Sequence, residues 1–368
     1  MKKIKILHIY KSFYPETIGG IEKFIDTLNN ELSHTCDFGL VCIGNKTETY
    51  FYKKMKVYKF KKNFEISSCP FSISAFLKFR NISSQYDILH YHYPYPFMDF
   101  LNFFSLNKTK LTTYHSDIIK QKFINFFYNP LKFFFLKNQN FIVVSSKKYL
   151  NTSSTLQTLK KKIKVINFGI KKISSPKNNK IKKKGYILFI GSLRYYKGLD
   201  VLLEAAKKIN SKIYICGSGN EYKALLIKKK KLQLKNVFFL GRVSDKKKYC
   251  LLKNCDFFVF PSNSRSEAFG IAILEAMSFA KPIISCEVGS ATSYLNINNK
   301  TGFVVKPNNP NELRDKINYL LDPKNKKIKK IFSVNSFNRF KKYFTSNTMC
   351  KNYLKLYEKL STKSKNFL

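Results

Sequence analysis

Along the chain, short runs of consecutive apolar residues alternate with longer segments in which apolar positions recur every three or four residues. The runs predict buried strands and the recurrences predict helices. In the first half, strands are expected at Lys3–Tyr10, Asp37–Ile43, Lys56–Phe60, Asp87–Tyr91, Leu111–His115, Phe141–Ser145 and Lys164–Asn167. In the second half they are expected at Ile187–Ile190, Ile213–Cys216, Val237–Leu240 and Asp256–Pro261. Ile21, Phe24, Ile25, Leu28 and Leu32 share one face of a helix after the first strand, and Ile271, Leu274 and Met277 share one after Gly270. Lys228–Lys231 reads as a solvated helix face, and the stretch from about Asn338 to Leu360 as a basic helix. Strands alternating with helices predict α/β domains with doubly wound parallel sheets, whose ligands gather at the strands' C-terminal ends.

A lysine-rich polar segment, 171–184, with paired Ser and Asn and Pro176, separates two strand-rich halves. It sets the domains at 1–170 and 171–344, followed by a last helix at about 345–362. With 368 residues and 44% hydrophobic content, each half can bury its own core. No apolar run reaches membrane-spanning length, and the N-terminus lacks a signal-peptide core. The 8 cysteines are scattered without metal-ligand spacing and read as reduced, buried thiols of a cytoplasmic protein.

Charge complicates this picture. Lys and Arg total 68 against 22 acidic residues, a formal +46. Nucleic acid, an anionic membrane surface or a polyanionic substrate all suit such a balance. So does plain composition, since a chain rich in Lys, Asn, Ile and Phe with no Trp is what an AT-biased genome encodes. Composition is preferred, with membrane attraction as its consequence. No nucleic-acid-binding signature accompanies the lysines, so nucleic acid is not expected as a partner. Between Ile118 and Leu136, lysines interleave with Phe123, Phe126, Phe127, Phe133, Phe134 and Phe135, and Pro130 is expected to break the segment. Two core helices or an interfacial face for an anionic bilayer both fit that pattern.

The most informative stretch is SNSRSEAFGIAILEAM, Ser262 to Met277. A buried strand ends at Pro261, a small polar loop follows, and a helix opens after Gly270. Such a helix N-terminus offers free N–H groups and a positive dipole end to phosphate. Glu267 in the loop and Glu275 in the helix suit sugar and ribose hydroxyls, or are an ordinary loop acid and a solvated helix carboxylate. In GSLRYYKG, Gly191 permits close backbone approach, while Arg194 and Lys197 set two cations at a strand's end. Gly19 and Gly20 close the loop after the first strand, by close approach, an unusual φ or a simple turn. His90 and His92 in HYHYP, and His115 and Asp117 in TYHSD, end two strands. A lone histidine is more often structural than catalytic.

The EAFGIAILE segment resembles the E-x7-E signature of family 4 glycosyltransferases, and YPETIGGIEKFIDTLNNEL, RYYKG, PIISCEVGS and NKTGFVVKP match further segments in order. The resemblance runs from Lys3 to about Leu360. It implies the GT-B fold, in which two Rossmann-like doubly wound domains face a central cleft. The N-terminal domain would bind the acceptor, the C-terminal domain the nucleotide sugar, and the last helix would return to the first domain. It further implies retention at the anomeric carbon, with no cofactor and no essential metal. By the same resemblance Arg194 and Lys197 stabilise the departing diphosphate, while Glu267 and His115 hold the sugar. Gly19, Gly20, Gly191, Gly217, Gly219, Arg242, Val243, Ala268, Phe269, Gly270, Ile271 and Glu275 would bind the donor. His92 and Asp117 would line the acceptor side.

RYYKG, TYHSDII and SSKKYLNTSSTL resemble, more narrowly, bacterial O-antigen mannosyltransferases. Those imply GDP-mannose, a polyprenyl-diphosphate-linked glycan, and peripheral attachment to the cytosolic face of the inner membrane. A UDP-sugar transferase of the same fold, a non-hydrolysing nucleotide-sugar epimerase and a nucleic-acid-binding protein are the alternatives. There are departures: the common P-x-G-I-D reads Asn167-Phe168-Gly169-Ile170-Lys171 here, and Ser266 stands where a glycine often precedes the first glutamate. In this reading Lys197→Ala lowers turnover far more than stability.

Overall fold

A computed structural model describes residues 3–118, 122–173 and 185–365, with backbone alone at 122–125 and 363–365. Most of the segment expected as the linker, residues 174–184, lies outside the described residues. The chain forms two compact units, Met1–Phe168 with Ser346–Leu368, and Gly169–Thr345.

The first unit runs β1 (Ile4–Ile9), α1 (Gly20–Leu32), β2 (Cys36–Gly44), β3 (Glu48–Tyr52), β4 (Met55–Lys61), a small hairpin β5 (Phe64–Ile66) and β6 (Cys69–Phe71), and α2 (Ile73–Ser83). It continues with β7 (Ile88–Tyr93), α3 (Pro96–Leu101), β8 (Thr109–Tyr114), α4 (Lys122–Lys137), β9 (Phe141–Val144), α5 (Lys147–Thr152), α6 (Ser154–Gln157) and β10 (Ile163–Val165). Its main sheet has the order β10-β9-β8-β7-β1-β2-β4-β3. Every pairing is parallel except β3 with β4. β1 is central, and the order changes direction between β1 and β7.

The second unit runs β11 (Tyr186–Ile190), α7 (Leu199–Ala206), β12 (Lys212–Cys216), α8 (Tyr222–Lys231), β13 (Val237–Gly241), α9 (Asp245–Asn254) and β14 (Phe257–Phe260). Then come α10 (Ile271–Ser278), β15 (Ile283–Cys286), α11 (Thr292–Leu295), β16 (Gly302–Val305), α12 (Pro310–Leu321) and α13 (Lys326–Tyr343). Its sheet is wholly parallel in the order β13-β12-β11-β14-β15-β16, the dinucleotide-fold order, with its switch point between β11 and β14. Phe257–Phe260 is buried throughout, as a central strand covered on both faces must be. The last helix, α14 (Ser346–Lys365), packs on α1, β1, β7 and β8 of the first unit.

Four expectations are corrected. The strand β3 is missed by the hydrophobic pattern because none of its residues is buried; it is an edge strand held by pairing alone. Pro130 does not break α4. Tyr128, Phe135 and Leu136 bury on either side of it, and that packing outweighs one missing backbone bond. The basic C-terminal stretch is two helices, interrupted where buried Phe344 leaves the helical region at φ −126 and ψ 21. Its carbonyl there accepts from the Ile170 N–H at 3.0 Å, a bond that continuous helix would forbid. Finally, Ile21 and Ile271 are only half-buried, while Glu22 and Asn29 of α1 and Ile273 and Ala276 of α10 are buried instead.

Candidate functional site

The loops after β11 and β14 lie at the switch point of the second sheet, where the C-terminal ends of two diverging strands leave room for a ligand. The Asn263 N–H donates to the Tyr196 carbonyl at 2.9 Å, joining the two loops. Lys197 Nζ donates to Glu267 Oε2, and the two residues are only 7% and 8% exposed. The same carboxylate oxygen accepts from Ser262 Oγ at 3.3 Å. Lys197 Nζ also lies 4.6 Å from the centroid of the Phe260 ring. Two residues 70 positions apart thus form a buried ion pair. Arg194 caps the short turn before Lys197 and is exposed.

Gly270 is the N-cap of α10 at φ +91, a conformation that a side chain would strain. Phe269 is buried and the Ala268 carbonyl accepts from the Ala291 N–H at 3.1 Å, so the approach to the helix is fixed from both sides. Behind it, Glu275 Oε1 accepts from Lys248 Nζ at 2.7 Å. Burial opposes the charge of Lys248, but Glu275 and Asp245 raise its pKa overall. The β12 end packs directly on the β11 end: a Cβ on Gly217 (φ +145) would stand 1.8 Å from the Gly191 carbonyl oxygen. Gly219 likewise backs onto the Leu193 carbonyl. Arg242, exposed, and Val243, half-buried, follow β13.

In the first unit, the loop between β1 and α1 is held by two acids. Lys59 Nζ donates to Glu16 Oε1 at 3.0 Å and also pairs with Glu48, and Ser12 Oγ donates to the buried Glu22 at 2.8 Å. Gly19 is the N-cap of α1 at φ −124, an ordinary extended value, and Gly20 is the first helical residue. A Cβ on Gly19 would stand 2.5 Å from Glu22 Oε2, so a side chain there would displace that carboxylate. In the same unit, His115 follows β8 directly and is 8% exposed. Its Nε2 lies 3.1 Å from His92 Nδ1.

The family pattern described as "Glycosyl transferases group 1" matches residues 170–338, and that described as "Glycosyltransferase Family 4" matches residues 18–171. The O-antigen chain mannosyltransferase C of Escherichia coli is 37% identical over 97% of this chain and 99% of its own length. The chain belongs to the family 4 glycosyltransferases. D-rhamnosyltransferase WbpZ of Pseudomonas aeruginosa is 37% identical over 86% of each chain. The N,N'-diacetylbacillosaminyl-diphospho-undecaprenol alpha-1,3-N-acetylgalactosaminyltransferase of Campylobacter jejuni is 29% identical over 50% of this chain and 47% of its own. Among solved structures, the sucrose-phosphate synthase of Thermosynechococcus elongatus superposes with a TM-score of 0.79 over 98% of this chain and 100% of that one, at 16% identity. HepE of Anabaena in complex with UDP-glucose gives 0.78 over 97% and 100%, also at 16%. These structures establish the two-Rossmann GT-B fold.

Within the glycosyltransferase, the two residues expected on the acceptor side differ in burial. His92 is fully buried between His8 and His115, so it lines no surface. The Asp117 carboxylate, half-buried, accepts from Tyr114 OH and Ser153 Oγ, each at 2.7 Å, which ties it into the core around β8. Sequence reasoning also missed Lys248, His8 and Lys59, each of which looks like one more surface lysine or strand residue until the fold buries it. His8, His90 and His92 bring three ring nitrogens within 4.8 Å of one another. Both nitrogens of His90 are already engaged, by Tyr357 OH at 2.8 Å and Thr113 Oγ1 at 2.7 Å. That trio is a hydrogen-bonded packing layer.

Proposed function

We propose that this glycosyltransferase moves mannose from GDP-mannose onto a polyprenyl-diphosphate-linked glycan, with retention at the anomeric carbon. The observation that carries the reading is the 37% identity, over nearly the whole of both chains, to an O-antigen mannosyltransferase. The lipid-linked acceptor is supported by the C. jejuni enzyme's name, which includes a diphospho-undecaprenol-linked sugar. In the proposed reaction the acceptor hydroxyl attacks the anomeric carbon on the face from which the diphosphate departs. The bond from that carbon to the diphosphate oxygen breaks, and the departing oxygen takes the hydroxyl proton. Arg194 and Lys197 stabilise the charge growing on the leaving group, each worth about 3 kcal/mol, or two decades in rate. The Gly270–Ile271 amides and the α10 dipole face the same phosphates. Glu267, held by Lys197, accepts from sugar hydroxyls, and Glu275, held by Lys248, accepts from the ribose. Gly19 and Gly20 bring backbone to the diphosphate, Gly191, Gly217, Gly219, Arg242 and Val243 surround the nucleotide, and His115 orients the sugar.

The enzyme works at an anionic membrane surface in this proposal. No helix among the described residues is long and apolar enough to cross a membrane. The first unit instead carries an aromatic surface. Phe103 stacks on Phe134 at 4.5 Å, and Phe104 meets Phe76 edge-on at 4.8 Å. All but Phe76 are more than a third exposed, and Phe126 and Phe127 of α4 reach 72% and 68%. The same helices bear exposed Lys78, Arg80 and Lys137, as a surface seated among anionic headgroups requires. Of the stretch that suggested this role, residues 119–121 and the Phe123 side chain lie outside the described residues.

Calorimetric titration with GDP-mannose and a panel of UDP-sugars, without added metal, tests the donor. Selective GDP-mannose binding, weakened by Arg194→Ala, is expected. Selective binding of a UDP-sugar would overturn the mannosyl assignment and leave the transferase.

A further inference from the structure

We infer that His8 and His92 are positioning residues that set the tautomer of His115, so that His115 presents an N–H donor, not a lone pair, toward the transferred sugar. The inference deepens the role proposed above for His115 and rests on it. The three rings are joined in series inside the first unit. His8 Nδ1 lies 2.9 Å from His92 Nε2, and His92 Nδ1 lies 3.1 Å from His115 Nε2. The register of β1 beside β7 makes this possible by setting His8 opposite His90, so that His8, His90 and His92 face the same layer. Phe24 of α1 packs edge-on against His92 and His115, and Phe38 stacks on His8. The layer is sealed, with His8 and His92 fully buried. Burial lowers the pKa of His8 and of His115 to about 3 and that of His92 well below its ordinary value, so all three rings are neutral at pH 7.

A neutral imidazole has one N–H and one lone pair, and each ring-to-ring bond needs one of each. Only two proton arrangements satisfy both bonds. In the first, every ring is protonated at Nε2, His115 donates inward, and His8 Nε2 ends the series as an N–H. In the second, every ring is protonated at Nδ1, His8 donates to His92, His92 donates to His115, and His115 keeps its N–H on Nδ1. The far end decides between them. His8 Nε2 is buried and has no hydrogen-bond partner among the described residues. A buried donor without an acceptor is the rarer and costlier defect, whereas a lone pair tolerates the same position better. The all-Nδ1 arrangement is therefore favoured, and the outward nitrogen of His115 is a donor. A residue in β1 thus selects the hydrogen-bonding character of one that follows β8, two strands away in the sheet, and mannose oxygens meet an N–H.

The protein has 5 histidines, so selective 15N-histidine labelling gives a readable imidazole spectrum, with single substitutions providing assignments. The full-length enzyme at pH 7.5 is expected to show His115 and His92 as neutral Nδ1–H tautomers; an Nε2–H His115 overturns the proposal. Turnover supplies the second arm. His92→Asn keeps an amide donor at the position of Nδ1 and is expected to stay within about threefold of wild type, whereas His92→Leu lowers kcat about tenfold with little change in KM. Equal effects of the two substitutions also overturn it. His115→Ala separates the inference from its premise. Unchanged turnover there removes the sugar contact while leaving the tautomer result standing.

Discussion

Replacing Lys197 by methionine removes the ammonium and keeps most of the apolar stem. In wild type the ammonium bonds Glu267, and both residues are more than nine-tenths buried. The substitution leaves a carboxylate in that interior with Ser262 Oγ as its remaining hydrogen-bond donor. Breaking a buried pair from one side costs about 3–5 kcal/mol, because the orphaned charge keeps its desolvation penalty. Replacing Glu267 by glutamine in the same background removes that charge, so the double variant should recover all but about 1 kcal/mol. Turnover should not recover, since the cation proposed to face the leaving group is absent from both; each loses about two decades. On this reckoning the loss of stability matches the loss of turnover, whereas the sequence alone predicts that Lys197→Ala lowers turnover far more than stability. Urea midpoints and slopes for wild type, both single variants and the double variant close a thermodynamic cycle, and transfer of radiolabelled sugar at saturating donor measures turnover. A Lys197→Met protein within about 0.5 kcal/mol of wild type, or singles that simply add, would refute the buried-pair argument.

Gly217→Ala drives a Cβ into the Gly191 carbonyl at a φ of +145, and should lower stability by about 2–3 kcal/mol in the same urea assay; an unchanged midpoint would show that the β11 and β12 ends part easily. His8 and His115 titrate near 3 when folded against 6.5 when unfolded, so between those values the unfolded chain alone takes up their protons. Stability should be complete above pH 6.5 and fall below it by about 1.4 kcal/mol per pH unit for each such histidine; urea midpoints that stay flat from pH 7 to 5 would contradict the buried layer. Phe103→Glu with Phe126→Glu should reduce sedimentation with phosphatidylglycerol-containing vesicles at least tenfold and leave donor binding unchanged, and undiminished sedimentation would move membrane attachment elsewhere.

The sequence alone determined the parts that depend on neighbours in the chain. Phe257–Phe260, apolar without interruption and stopped by Pro261, reads as a buried strand; the apolar recurrence after Gly270 reads as a helix opening there; and the order of the sequence motifs carried the family and the GT-B fold. What it left open is where side chains meet across long separations. Lys197 and Glu267 each read as ligands for a separate part of the donor, and the loop packing at the switch point makes them partners of each other first. Lys248 was one lysine among many until α9 laid it against Glu275. His8 carries no signal within its strand, and the buried partners of His92 are equally silent, because composition and spacing do not report strand register. Setting β1 beside β7 aligned His8 with His90 and closed the imidazole series through His92 to His115. Hydrophobic pattern selects which face of an element turns inward, but burial of a polar side chain is favourable only when a partner from another strand or helix arrives to satisfy it, and that partner is supplied by the tertiary fold.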